Sequence, residues 1–271
     1  MSNQSFSQRF FAKRKYNLVF LGLLVLCYFA VSFIFQFLFH NVLLSIALLN
    51  ITFIFLFVVF RSYDFNDELG FGRVCFSVNN RYRLYRHLFV FAALMLLIRV
   101  MSNMLSVVYG DTLLTDSFRE LQTTLYSPEN IVLMFVFSLV LSPLAEEFIM
   151  RGIMLPVLRN YFGFTISVVL TSVFFGAMHG TMLHFIMATA LGFVLSMVYA
   201  TTDSILLTVL FHFVFNVTGF VPARAFFPAF LANNVNVVCF TIFVYICIFV
   251  YFYLCHDEFR IQSGTYKRLS V

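Results

Sequence analysis

The sequence has no tryptophan and little charge: Asp, Glu, Lys and Arg make up 11% of its 271 residues, less than half of the roughly 25% found in soluble domains. That scarcity excludes an ordinary water-solvated globular fold. No Gly/Ser linker, low-complexity tail or internal repeat divides the chain. Its five cysteines include no CxxC pair, so neither a disulfide framework nor a zinc knuckle is indicated. All but Cys75 lie in apolar runs and read as small apolar fillers, with Cys239, Cys247 and Cys255 near one face of the last span. HExxH is also missing, which excludes the one-helix ligand arrangement of the common zinc proteases. Without tryptophan, tyrosine must supply any aromatic belt at the membrane surface.

What is present is apolar. Hydrophobic residues make up 62% of the chain, mean hydropathy is +0.94, and there are 40 phenylalanines. That bias fits AT-rich coding, so a bacterial plasma membrane is the expected location. About eight segments reach or approach the roughly 20 residues needed to cross a bilayer. They lie at about 17–39, 41–60, 88–108, 130–150, 164–180, 182–200, 203–220 and 235–255. The expected fold class is all-α, a polytopic helical bundle forming one integral membrane domain over 1–271. The first segment follows Arg9, Lys13, Arg14 and Lys15, is too long for a signal-peptide core and precedes no small-residue cleavage site, so it is expected to remain as an anchor.

Placing the N-terminus inside puts Arg61, Arg73, Arg81, Arg83, Arg86, Arg151, Arg159, Arg260, Lys267 and Arg268 on the cytoplasmic side, as the positive-inside rule requires. The opposite side receives Arg119 and Arg224 with Asp111, Asp116, Glu120 and Glu129, so both termini are expected in the cytoplasm. The polar stretch 61–87 reads as an ordered cytoplasmic loop. The formal charge of +5 then reflects this bias and anionic headgroups of the lipid bilayer; it gives no reason to expect a nucleic-acid partner.

An ionisable side chain at mid-membrane costs about 2.5–3.5 kcal/mol on insertion scales, so such residues pair, face a cavity or carry function. Three groups qualify. In LSPLAEEFIMRG (141–152), Glu147 and Arg151 stand at i, i+4 with the acid first, the favourable order for a helical ion pair. Glu146 is rotated about 100° from Glu147 and left for other work, and the adjacent carboxylates favour a raised pKa on one, as a general base near neutral pH needs. In FFGAMHG (174–180), Phe175 and His179 share a face, and Gly176 and Gly180 allow close helix approach. In HFVFN (212–216), His212 and Asn216 stand one above the other. Such a set can polarise a water between carboxylate and imidazole while a second His and an amide hold an oxyanion. It can equally bind a metal, since Glu with two His is a zinc ligand set with an open fourth position. Glu146, His179 and His212 are the candidates, and zinc or no cofactor at all stays open.

At these residues the chain resembles the CAAX protease and bacteriocin-processing family, the intramembrane peptidases that include the Ras-converting endopeptidase and bacterial Abi proteins. The family pattern EExxxR, FxxxH, HxxxN reads here as EEFIMR at 146–151, FGAMH at 175–179 and HFVFN at 212–216, and the resemblance covers about 130–220. It implies that Glu146 and His179 activate water, that His212 and Asn216 hold the oxyanion, and that Glu147 with Arg151 supports the site. Membrane-associated peptides or proteins are the implied substrates; for a bacterial chain these are bacteriocin leaders, pheromones or other membrane peptides. The competing functional reading is a non-proteolytic membrane partner, an immunity factor or sensor-kinase regulator with the same fold. Oligomeric state is not legible.

Structural readings stand beside these. Glu146, Glu147 and Arg151 can be an ion-pair network, and His179, His212 and Asn216 interhelical hydrogen bonders. His184 reads as an interfacial residue at a helix start and is the best rival ligand. Arg99 reads as a structural cation that snorkels or pairs with a carboxylate, and Asp203 as the N-cap of the seventh span. Counting 1.5 Å per residue places Glu146 near the inner surface, His179 nearer the outer one and His212 midway. The first two therefore meet only if the fourth and fifth spans tilt or if 152–163, an expected amphipathic turn at the inner surface, moves the fifth span's start.

Overall fold

The computed structural model of the chain describes residues 42–63, 81–113, 131–220 and 233–257, with scattered residues between 21 and 38. Among these the regular structure is helical throughout: α1 (Val42–Tyr63), α2 (Arg81–Leu113), α3 (Ile131–Val136), α4 (Ser142–Glu147), α5 (Leu155–Ala177), α6 (Met182–Thr202), α7 (Ile205–Gly219) and α8 (Asn234–Leu254). Two π-helical segments, Phe137–Leu141 and Phe148–Met154, join α3 to α4 and α4 to α5. The expected first span lies largely outside the described residues. Both termini, the stretch 64–80 and the acidic loop after α2, on which the orientation argument leans, also fall outside them.

Four described helical stretches are long and apolar enough to cross a membrane: Tyr85–Tyr109, Met134–Ala177, Met182–Thr202 and Asn234–Leu254. Ala47–Val58 and Ile205–Gly219 are shorter apolar helices. The chain is a multi-pass membrane protein. Large apolar side chains such as Phe89, Val132 and Tyr253 therefore point outward, where lipid rather than water receives them, while the helices satisfy their backbone groups internally. The centre of the bundle is α6, whose residues from Ala188 to Ala200 are all buried. Small residues let α5 and α6 meet at backbone distance: a Cβ on Gly192 would lie 3.0 Å from Ser172 Cα, and one on Gly176 would overlap Thr189 Oγ1. Close backbone approach of this kind drives helix association where no hydrophobic gradient exists.

The largest departure from expectation lies between the fourth and fifth spans. Residues 152–162 form no surface turn but continue the helix that begins at Ile131, and the break comes at Gly163 (φ 77°, ψ 176°), where the chain kinks and a second helical piece, 164–177, begins. Gly152 to Leu155, Val157 and Leu158 are buried. Arg151, assigned above to the inner surface by charge counting, is fully buried, because an ion pair inside the bundle removes its need for a headgroup. Glu146 therefore lies midway along the piece from Ile131 to the Gly163 kink instead of near a helix end, and the apparent depth mismatch came from ending that helix too early.

The π segments have a specific register. Ser142 N–H donates to Phe137 O and Leu155 N–H to Met150 O, each an i to i−5 bond in place of the α-helical i−4. A proline follows each donor directly, Pro143 and Pro156, near the start of α4 and α5.

Smaller corrections have local causes. The helix expected from 88 begins at Arg81, and His87 is fully buried with Nδ1 2.5 Å from the Tyr251 hydroxyl of α8. The N-cap of α7 is Ser204, whose hydroxyl accepts from Leu207 N–H; Asp203 is instead the left-handed C-cap of α6 (φ 50°), a conformation that a short polar side chain tolerates. Gly180 serves a turn rather than close approach, having φ 73° and open space where a Cβ would stand. The cysteine spacing of eight does not hold one face, since Cys239 is exposed, Cys247 half-buried and Cys255 buried; eight residues at about 100° each leave a drift of about 80° per step.

Candidate functional site

The π segments frame a single α-helical turn that carries the carboxylate pair. Glu147 and Arg151 are fully buried and bonded, Arg151 Nη1 to Glu147 Oε1 at 2.9 Å. Arg151 Nη2 continues across the bundle to Gly192 O of α6 at 2.8 Å, and its guanidinium faces the Phe175 ring at 5.3 Å. Glu147 Oε1 also receives His212 Nδ1 from α7 at 3.0 Å. That contact turns the other imidazole nitrogen toward the second carboxylate, with His212 Nε2 3.7 Å from Glu146 Oε2. His212 thus spans the acidic pair. Glu147 is sealed, whereas the Glu146 side chain keeps 20% of its surface accessible, and the Ser142 hydroxyl, one turn earlier, donates to Glu146 Oε1. Of the two acids Glu146 is the less enclosed, although its Oε2 is itself buried and has no hydrogen-bond partner.

His179 occupies the end of α5. Its Nδ1 lies 2.7 Å from Phe175 O, a carbonyl that can only accept, so Nδ1–H donates and Nε2 is the ring nitrogen left for other contacts. The Phe175 ring stands between the two histidines, 4.9 Å from the His179 ring and 5.7 Å from the His212 ring by centroids. Among the described residues no ion pair joins His179 to Glu146 or Glu147. The structure therefore gathers Glu146, Glu147, Arg151 and His212 by direct contact and leaves His179 one aromatic ring away. Asn216, one turn beyond His212, gives Nδ2–H to Ser138 O in the first π segment at 2.9 Å.

The rival residues also find places. His184 sits in the first turn of α6, where Thr181 caps the helix by accepting from His184 N–H and lies 2.7 Å from its Nδ1. Arg99 of α2 is buried, donating from Nη2 to Phe215 O at 2.6 Å and from Nε to Thr218 Oγ1 at 2.9 Å, with Cζ 4.2 Å above the Phe215 ring. It holds the last turn of α7 rather than reaching for the interface. No described group of three or more His, Cys, Asp or Glu side chains stands close enough to hold a metal ion, so the candidates Glu146, His179 and His212 do not form a ready chelate in this arrangement.

Sequence reasoning overlooked Ser142, although its i, i+4 spacing to Glu146 was readable. It also overlooked the carbonyls of Ser138, Gly192 and Phe215, which no residue type signals.

Comparison with known proteins falls on this same region. Residues 128–218, which contain every residue of the cluster, match the family model described as type II CAAX prenyl endopeptidase Rce1-like. A Bacillus subtilis (strain 168) protein named "Putative membrane peptidase YdiL" is 31% identical over 88 residues, 32% of this chain and 36% of that protein. The match therefore spans about a third of that relative's length. No solved structure matches the chain.

Proposed function

The segment 128–218 is Rce1-like, and from this premise we propose that the chain is an intramembrane endopeptidase that hydrolyses membrane-associated peptides with a water activated by Glu146 and His179. The observation that carries the reading is the carboxylate pair spanned by His212, with one acid sealed against Arg151 and the other less enclosed and keeping a buried, unpartnered Oε2. A purely structural ion-pair network has no use for the second, half-free acid.

In the proposed reaction Glu146 and the Nε2 lone pair of His179 accept hydrogen bonds from one water. Its oxygen attacks the scissile carbonyl carbon as its proton passes to Glu146. The oxyanion is held by the second Nδ2–H of Asn216 and, with Nδ1–H kept on Glu147, by Nε2–H of a doubly protonated His212. Stabilisation by such preset donors is commonly the largest catalytic term, one donor being worth about 10²–10³ in kcat. When the C–N bond breaks, Glu146 returns the proton to the leaving amine. Glu147 fixes His212 through Nδ1, and Arg151 holds Glu147 in place. The substrates are membrane peptides such as bacteriocin leaders or pheromones. If the protein takes a metal, Glu146, His179 and His212 are the residues to supply its ligands.

A non-proteolytic membrane partner is the second reading. The observation favouring it is that His212 and Asn216 already have protein partners in Glu147 and Ser138. Expressing Glu146→Gln and His179→Ala at wild-type levels separates the two readings. Loss of peptide processing in both variants is expected, with the uncleaved membrane peptide accumulating in the Glu146→Gln strain; normal processing in both sinks the peptidase reading. Metal content of the purified protein, together with inhibition by a chelator, decides the cofactor.

A further inference from the structure

The bond between Asn216 and Ser138 O has a cause in the backbone. In a helix the carbonyl of residue 138 takes its hydrogen from the N–H of residue 142 or, in π register, of residue 143. Ser142 N–H is already given to Phe137 O, and residue 143 is proline, which has no N–H. Both helical donors are thereby withdrawn from Ser138 O. A carbonyl without a partner inside a membrane bundle is costly, and the Asn216 side chain, half-buried on α7, meets that need at 2.9 Å. An amide whose oxygen faced the carbonyl would be repelled, so the contact fixes which end of Asn216 points at the first π segment and, through the planarity of the amide, the direction of its second N–H.

We infer that Pro143 is a positioning residue, which by denying Ser138 O a backbone donor makes that carbonyl the acceptor that orients the Asn216 amide in the active site. The inference deepens the peptidase reading and rests on it for the catalytic use of the second Asn216 N–H. The orienting bond itself does not depend on that reading. Replacement of Pro143 by alanine supplies an N–H able to take Ser138 O in the same i to i−5 register, and Asn216 then loses its obligatory partner.

The test uses the full chain purified in detergent. Thermal stability is measured for wild type, Pro143→Ala, Asn216→Ala and the double variant. Asn216→Ala alone should lower Tm by leaving Ser138 O without a donor, and the loss should largely vanish in the Pro143→Ala background, where the backbone serves that carbonyl. If Asn216→Ala alone cannot be recovered folded, the double variant should be. Additive Tm losses, or failure to recover either protein, overturn the inference. The second readout is one that packing alone would not move: in protein labelled with ¹⁵N-asparagine, the Asn216 side-chain amide protons should exchange with solvent faster in Pro143→Ala, and unchanged exchange counts against the lock. On the membrane peptide that accumulates in the Glu146→Gln strain, Pro143→Ala should lower kcat by about tenfold with KM unchanged. If no processing exists at all, the peptidase reading fails while the stability cycle and the exchange rate still judge the lock.

Discussion

Glu147 and Arg151 illustrate what a fully buried pair demands of its neighbours. Removing one partner of such a pair leaves an uncompensated charge and costs on the order of 3–5 kcal/mol, whereas replacing both with apolar residues of similar volume is often neutral. Arg151→Ala should therefore lower thermal stability in detergent severely, and Arg151→Met combined with Glu147→Leu should recover much of it while leaving the protein inactive through the loss of the His212 Nδ1 partner. Recovery of processing in that pair of substitutions would show that Glu147 serves folding alone. At this scale much was readable in advance. The i, i+4 order of Glu147 and Arg151, the Phe175 to His179 spacing and the shared face of His212 and Asn216 all appear in the structure. What escaped were the acceptors. Arg151, Asn216 and Arg99 each give a hydrogen to a main-chain carbonyl, and because every residue carries a carbonyl, no pattern of residue types reveals which one a fold will leave in need.

Among the helices, two glycines are irreplaceable for opposite reasons. Gly163 has open space around it but a backbone at φ 77°, while Gly176 has ordinary helical geometry but no room beside Thr189 and Phe185. Gly163→Ala should destabilise through conformation, by about 1–3 kcal/mol, because φ 77° with ψ 176° is a backbone state essentially reserved for glycine. Gly163→Asn should fare no better, since Asn tolerates positive φ only in the left-handed helical region. Gly176→Ala should destabilise through forced separation of α5 from α6, by about 1–3 kcal/mol. Melting temperatures of the three variants check this, and a Gly163→Ala or Gly163→Asn protein as stable as wild type would contradict the conformational cause. The spans themselves were legible from hydropathy, and the α7 cap was missed by one residue. The π segments were not legible, since an inserted residue changes the hydrogen-bond register without changing composition. The break between the fourth and fifth spans was expected over 152–163 because of Arg159 and Asn160, whereas the helix runs on through most of that stretch and breaks only at its last residue, Gly163. The ion pair that hides Arg151 inside the bundle becomes visible only once α6 supplies Gly192 O.

For the molecule as a whole, the short turns at 178–181 and 203–204 place the α5–α6 and α6–α7 connections at opposite ends of the bundle. The charge bias of the sequence assigns the first of these to the outside and the second to the cytoplasm. In a variant lacking native cysteines, Met182→Cys, at a side chain 57% exposed, should react with a membrane-impermeant maleimide on intact cells, and Asp203→Cys only after the inner face is opened. The reverse pattern would invert the topology. The length of α7 carries a further consequence. Its 15 residues at 1.5 Å each extend roughly 22 Å, short of the roughly 30 Å of hydrocarbon. The mismatch has to be met by lipid, whose headgroups sink toward Gly219 and thin the bilayer on that flank. A dimple of this kind would bring bulk water to within a few residues of His212 and Asn216, so the proposed hydrolytic centre, drawn at mid-membrane depth, would work at a shoreline.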